Sequence, residues 1–336
     1  MSSIGIIANP ASGKDIRRLV SYATTIDNQE KVNIAKRIVL AAQSVGVDEI
    51  HFMPDSFQFG WIVIDALEID RKLTARCDVL QIPYMSSAED TVDAAAWMEG
   101  HKVGCVVVLG GDGTSRAAAK ALKQVPLVAI STGTNNVYPD YTEGTVAGMA
   151  AGIVAGAAHP EEFCMRDKRI EVSIDGVFRD IALVDAVVSD DLWVGSRAIW
   201  EVSKIEYIIA ARCHPASIGF SAAAGCLAVI RPEDDRAMAL RLCGSDEKGA
   251  VRKIRAPIAA GILSPVNIRE IKEMGLGEAY GFTARRTCMI ALDGEREIRV
   301  REGQHVSFTL TRNGPLRVEI DRTLEKAVQY GLFDRN

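Results

Sequence analysis

The stretch Val106-Val-Val-Leu-Gly-Gly-Asp-Gly-Thr114 decides the fold class. Four apolar residues, three of them β-branched, run directly into a glycine turn that carries one carboxylate, Asp112. An alanine-rich segment with helical spacing follows from Ser115 to Lys123. Such a short apolar run reads as a strand buried on both faces, and strand-turn-helix places the turn at the carboxyl end of a parallel sheet. The backbone N–H groups that open the helix form a natural anion site, and glycines let a phosphate come close. A carboxylate there would repel phosphate unless a metal ion or a reacting hydroxyl lay between them. The pattern therefore points to phosphoryl transfer.

Working outward, Ile4 to Ala8 reads as a first strand followed by the turn-rich Asn9-Pro-Ala-Ser-Gly13 and Lys14. Ala8 and Asp15 break the G-x-x-x-x-G-K-[ST] pattern, so this is not a Walker A loop. Helical spacing over Val32–Val45 and Ile62–Leu73 alternates with strands at Glu49–Met53 and Val79–Ile82. Ser86 and Glu89 have the spacing of a capping box for a helix through Met98. Pro126–Ile130 predicts a strand that ends in Ser131-Thr-Gly-Thr-Asn-Asn136, with a helix from Glu143 to Gly156. Alternating strands and helices imply a Rossmann-like, doubly wound α/β domain over about 1–160. Its three turns, at 9–13, 110–114 and 132–136, fall at strand carboxyl ends, where ligands of such sheets collect.

Beyond residue 160 the texture becomes β-rich. Ile170-Glu-Val-Ser-Ile-Asp-Gly-Val-Phe-Arg179 reads as a hairpin, and short alternating runs follow at 237–242, 289–292, 306–311 and 317–320. Arg197–Ala211 predicts one helix, and the amphipathic Thr323–Leu332 predicts another. The expectation is a β-rich, sandwich-like domain over 161–320 and a terminal helix over 321–336 that returns to the first domain.

The bulk properties exclude several function classes. The 336 residues carry 39 basic and 44 acidic side chains, a net charge of −5, with neither a basic stripe for nucleic acid nor a polybasic membrane patch. Seven cysteines, never in a C-x-x-C pair, fit reduced thiols, and Cys213-His214 lacks further metal-ligand spacing. No leader-like or membrane-spanning run is evident, so a cytoplasmic location is expected.

With these residues in view, the chain resembles the superfamily of NAD kinases, diacylglycerol kinases and sphingosine kinases, and within it the ATP-NAD kinase-like branch that includes the acetoin-catabolism protein X family. Asn9-Pro-Ala-Ser-Gly13, Ala88-Glu-Asp-Thr91, Gly110-Gly-Asp-Gly-Thr114 and Thr132-Gly-Thr-Asn-Asn136 carry the likeness in the first half. Ala182–Val188, Ser217-Ile-Gly-Phe-Ser221 and Ala256–Ser264 carry it in the second. Val184 stands where NAD kinases have an asparagine, Gly261 where many have a histidine, and Asn136 where lipid kinases have an aspartate.

The resemblance implies ATP with Mg²⁺, the metal without a dedicated protein cage. It also implies a nucleotide or small-molecule acceptor, with NAD leading, and a homodimer or homotetramer. Asp112 is the candidate catalytic group. Asn9, Ser12, Gly13, Lys14, Gly110, Gly111, Gly113, Thr114, Thr134, Asn135 and Asn136 are the candidates for ATP and phosphate. Asp185, Ser217, Gly219, Ser221, Asp293 and Glu295 are the candidates for the acceptor. Plainer readings stand beside these. Asx-type turns account for the asparagines, a buried carboxylate with a protein partner accounts for Asp185, and an ordinary hairpin turn accounts for Asp293-Gly294. Trp193 and Trp200 are read as packing residues, or as an aromatic wall near Asp185. The rival functions are a lipid kinase and a nucleotide-binding regulator without turnover. A dehydrogenase would carry a G-x-G-x-x-G turn after the first strand, and this chain has Asn9-Pro-Ala-Ser-Gly13 there instead.

Overall fold

The computed structural model describes residues 2–12, 26–133, 136–190, 202–243 and 249–333, with backbone alone at 296 and 297. The all-buried strand β4 (Cys105–Gly110) lies at the centre of a seven-stranded sheet. The other strands are β1 (Ser3–Ala8), β2 (Glu49–Phe52), β3 (Arg76–Val79), β5 (Leu127–Ser131), β6 (Cys164–Arg166) and β18 (Leu316–Val318), in the order β3-β2-β1-β4-β5-β18-β6. Strands β1 to β5 run parallel, as does β18 beside β5, and only β6 is antiparallel.

Because successive side chains of a strand face opposite ways, β4 feeds two cores. Val107 and Leu109 pack with α1 (Asn28–Ser44), α2 (Phe59–Ile69) and α5 (Gly144–Gly156). Val106 and Val108 pack with α3 (Ala88–Gly100) and α4 (Asp112–Ala121). The terminal helix α7 (Ile320–Gln329) rests on α5, with Ala327 in the first core.

The second half stacks two antiparallel sheets. One has the order β12-β13-β11-β10-β9-β15-β16, with β9 at Asp185–Ser189, β10 at Ile205–Ala210, β11 at Arg236–Leu242, β12 at Arg252–Ala259, β13 at Ile262–Gly275, β15 at Cys288–Leu292 and β16 at Glu295–Val300. The other is β14-β17-β7-β8, built from Ala279–Thr283, His305–Thr311, Arg169–Ile174 and Val177–Ala182. Inward residues of both, such as Val172, Val188, Ile209 and Phe308, share one core, and the short helix α6 (Phe220–Gly225) covers the far face of the larger sheet.

Two local expectations are corrected. Residues 205–210, expected within a helix, form β10 and pair with β9 and β11 on either side. Ile-Glu-Tyr-Ile-Ile-Ala is β-branched and aromatic, and two flanking ladders outweigh any helical spacing. Of the rest of that expected helix, Val202–Lys204 form a single 3₁₀ turn, while 197–201 and both Trp193 and Trp200 lie outside the described residues. The capping box is Ser87 with Asp90, one residue later than Ser86 and Glu89, because Ser86 takes a left-handed φ of 60° outside the helix. All seven cysteines are free, and among the described residues no helix is long and apolar enough to cross a membrane.

Candidate active site

Strand order reverses between β1 and β4, the topological switch point at which open α/β sheets form a crevice. The turns after these two strands are tied together there. Asn9 Nδ2 donates to Thr114 Oγ1 at 2.8 Å, and the Asn9 amide donates to Leu109 O. The Asn9 carboxamide oxygen also accepts from Ala11 N, closing an Asx turn. The third turn joins through Ser12 Oγ, 3.0 Å from Thr132 Oγ1. Asn9, Ser12, Gly110, Gly111, Asp112, Thr114 and Asn136 thus occupy one edge of the sheet. Gly13, Lys14, Thr134 and Asn135 lie outside the described residues.

Helix α4 starts at Asp112 with Gly111 as its N-cap, so Thr114 sits in the first turn. The first N–H groups of a helix have no intrahelical partner, and here they face the crevice end of β4. Gly110, Gly111 and Gly113 have no positive φ; what they supply is space. A Cβ on Gly110 would run into Thr114, one on Gly111 would meet Asn136 Oδ1 at 2.9 Å, and one on Gly113 would run into the Glu295 carboxylate. Gly133 makes room for the same Asn136 oxygen, whose amide nitrogen donates to Ser131 Oγ at 2.7 Å.

Asp112 is half-buried, and its carboxylate accepts hydrogen bonds from Tyr138 N at 2.7 Å and Val137 N at 3.0 Å. The acid that opens α4 therefore also pins the segment following the third turn. Lys31, fully buried in α1, is absent from the candidates above. Its Nζ donates to Asn9 O, Ser12 O and Asn28 Oδ1, bracing the first turn from below. Read along the chain, a lysine in the first turn of a helix looks like solvated surface, so no local signal marks it.

Of the acceptor candidates, Asp185, Gly219 and Ser221 come together in the β-rich half. Asp185 is 6% exposed, and its Oδ2 accepts from Ser221 N at 2.9 Å, at the start of α6. Gly219 precedes that helix at φ 122°, a conformation that favours glycine. Ser217 lies apart from this pair, on the wall of a small cavity that it shares with Tyr138 and Arg212.

Asp293 and Gly294 have φ 50° and 83°, the paired left-handed angles of a type I′ hairpin turn between β15 and β16. The Asp293 side chain is buried and accepts from three consecutive amides, those of Leu183, Val184 and Asp185. Burial pushes its carboxyl above the usual range, opposed by the nearby Arg116 guanidinium and those three amides.

Arg116 joins the halves. From α4, 1% exposed, it reaches Asp180 Oδ2 at 3.1 Å, Glu295 Oε2 at 3.3 Å and Asp293 Oδ2 at 3.9 Å. Lys120, one turn on, meets Asp180 at 2.8 Å. Glu295 therefore sits between Arg116 and the Gly113 backbone. The glycine turn and the β-rich half are fixed to each other by an ionic cluster centred on the buried Arg116, with Glu295 and Lys120 at its open rim, which no local motif announces.

Residues 4–158 match the family model described as the ATP-NAD kinase N-terminal domain. Residues 168–313 match the acetoin catabolism protein X C-terminal domain. The acetoin catabolism protein X of Cupriavidus necator (strain H16) is 33% identical, over 98% of this chain and 93% of that protein. Similar solved structures include yeast NADH kinase complexed with NADH, at 11% identity and TM-score 0.45 over 100% of this chain and 89% of that one. Another is a putative diacylglycerol kinase from Bacillus anthracis str. Sterne, at 10% identity and TM-score 0.48 over 94% and 97%.

Proposed function

The chain belongs to the acetoin catabolism protein X family, and on that premise we propose that it is an ATP-dependent phosphotransferase. Its acceptor is a hydroxyl of a small or nucleotide-like molecule, with NAD the leading candidate. One observation carries the reading: the Asp112 carboxylate stands at the switch point, on the first turn of a helix, among three converging turns. The positive end of α4 suits a polyphosphate tail. Asn9, Ser12 and Asn136 add polar groups around it. Asp112, held in orientation by the Val137 and Tyr138 amides, would accept the proton of an incoming hydroxyl. Mg²⁺ bound with ATP would neutralise charge on the phosphates.

A second reading, a nucleotide-binding regulator without turnover, draws on a different observation. Asp185 and Asp293 both spend their carboxylates on protein amides. The reading is tested by a coupled assay with ATP and Mg²⁺ over hydroxyl acceptors, including NAD, diols and ketols. ADP release that depends on one acceptor supports the transferase. Thermal stabilisation by ATP with no ADP from any acceptor supports the regulator. Light scattering tests the accompanying expectation of a homodimer or homotetramer.

A further inference from the structure

The larger sheet of the β-rich half has two ends with different surroundings. At one, Asp185 pairs with Ala210, and the Asp185 carbonyl accepts from Asp293 N, beside Arg116 and the junction with α4. At the other, Ser189 pairs with Ile205. Asp185 opens β9 and Asp190 follows its last residue, roughly 16 Å away along an extended chain. A cavity of about 450 Å³ opens at this second end, between the start of β10, the end of β11, Arg269 of β13 and the loop before β15.

Its wall is basic. Lys204, Arg241, Arg269, Arg285 and Arg286 line it, with one acid among them, Glu206. The whole chain carries 44 acidic side chains against 39 basic ones, so this wall runs against the average. The five cations come from four separate places in the sequence, and no basic stripe announces them.

Cations buried elsewhere in the fold are matched by acids. Arg116 meets Asp180 and Asp293, and Arg212 and Arg317 share the fully buried Asp167. The cavity is different. Lys204 and Arg269 are engaged with other groups. Of the three remaining guanidiniums, Arg286 has an ion-pair partner, Asp190 at 2.9 Å, and its own side chain is 63% exposed. Neither the Arg241 nor the Arg285 side chain forms a hydrogen bond or ion pair among the described residues. Arg241 lies over the Tyr207 ring, 5.7 Å from its centre, and that ring is stacked on Phe282 at 4.4 Å. Burial pushes the Tyr207 hydroxyl up, Glu206 adds to the effect, and Arg241 and Arg285 both oppose it. These charged groups therefore converge on one spot.

A concave site lined mainly by one sign of charge focuses its field and concentrates counter-ions. Guanidinium groups match phosphate oxygens two at a time, which a chloride ion or a lone carboxylate cannot fully use. The volume lies within the range of small-molecule sites. We infer that this cavity binds a small molecule carrying at least two phosphate charges, held by Arg241, Arg285 and Arg286, with Lys204 and Arg269 adding charge to the wall. The inference goes beyond the phosphotransferase reading and stands without it, because the site is at the other end of the sheet and its test needs no turnover.

Isothermal titration calorimetry on the full chain would use pyrophosphate, fructose 1,6-bisphosphate and, as a neutral control, glucose. Phosphate also suits the crevice, so backbone hydrogen exchange would locate the site by comparing residues 204–207 and 284–288 with 111–115. The expected result is saturable binding of a phosphate probe, with slower exchange at 204–207 and 284–288. Affinity should be at least about fivefold weaker in Arg285→Gln and in Arg241→Gln, and should fall with added salt. Arg285 is exposed and has no side-chain partner to lose, so its variant carries the test if Arg241→Gln fails to fold. Arg322→Gln, on an exposed salt bridge to Glu319, should bind like the parent. Pyrophosphate binding alone assigns an inorganic polyphosphate, and bisphosphate binding alone assigns a phosphorylated organic molecule. Glucose binding equally well, no saturable heat from either phosphate probe, protection confined to 111–115, or equal affinity in Arg285→Gln and the parent overturns the proposal.

Discussion

Two Asp-Gly turns of this chain share a dipeptide and a backbone but not a fate. Asp175-Gly176 joins β7 to β8 at φ 52° and 78°, and Asp293-Gly294 joins β15 to β16 at φ 50° and 83°. At the first, the carboxylate lies in solvent, accepts from His305 N and Gln304 Nε2, and is held below the usual aspartate range chiefly by the His305 amide. At the second, it is sealed under the junction of the two halves on three amides, near Arg116, and burial pushes it up. The dipeptide dictates the turn. What stacks on the turn, more than a hundred residues away in sequence, dictates what its acid does.

The strongest way to break this contrast is to uncouple the buried acid. Asp293→Asn tolerates the left-handed φ but loses the charge facing Arg116, and Arg116→Gln leaves Asp180 and Asp293 without their shared cation. Each should lower unfolding free energy by about 3–5 kcal/mol in urea denaturation, the range for removing one partner of a buried pair. A loss under about 1 kcal/mol would place the junction's strength elsewhere. Gly176→Ala and Gly294→Ala come next, at about 1–2 kcal/mol, because a Cβ strains a left-handed φ. Nothing lies within 4 Å of a Cβ at Gly176, so strain alone acts there. A much larger loss at 294 would show that packing adds to it.

The pH dependence sharpens the same contrast with opposite signs. Asp175 has a lowered folded pKa, so its contribution is present above the unfolded value and lost as pH falls through the folded one. Asp293 has a raised folded pKa, so its burial penalty is present above that pKa and relieved as pH falls through it toward the unfolded value. In acid denaturation series, the stability difference between the parent and Asp175→Asn should shrink as pH drops. For Asp293→Asn it should hold or grow. Asp175→Asn at neutral pH should have the smallest effect of the set, since the group is fully exposed.

The first half was legible because its signals are local. Val106–Gly110 is apolar on both faces and demands two cores, and a glycine turn into an alanine-rich helix locates the crevice. The Asp-Gly hairpins were legible for the same reason. The helix expected up to Ala211 failed because β10 owes its form to ladders with β9 and β11, strands that begin at 185 and 236. Lys31, Arg116, Arg212 and Asp167 were invisible in the sequence. A buried charge looks like a surface charge until its partner, often on another element, is in place.

Asp112 is the centre of the account. It stays in both readings of the site, but only the transferase needs its charge. The direct test is steady-state turnover of ATP with the best acceptor found, in the parent and in Asp112→Asn, with ATP affinity measured alongside. The account predicts that turnover falls by roughly 10²-fold or more while ATP still binds. Turnover within a few-fold of the parent would contradict it.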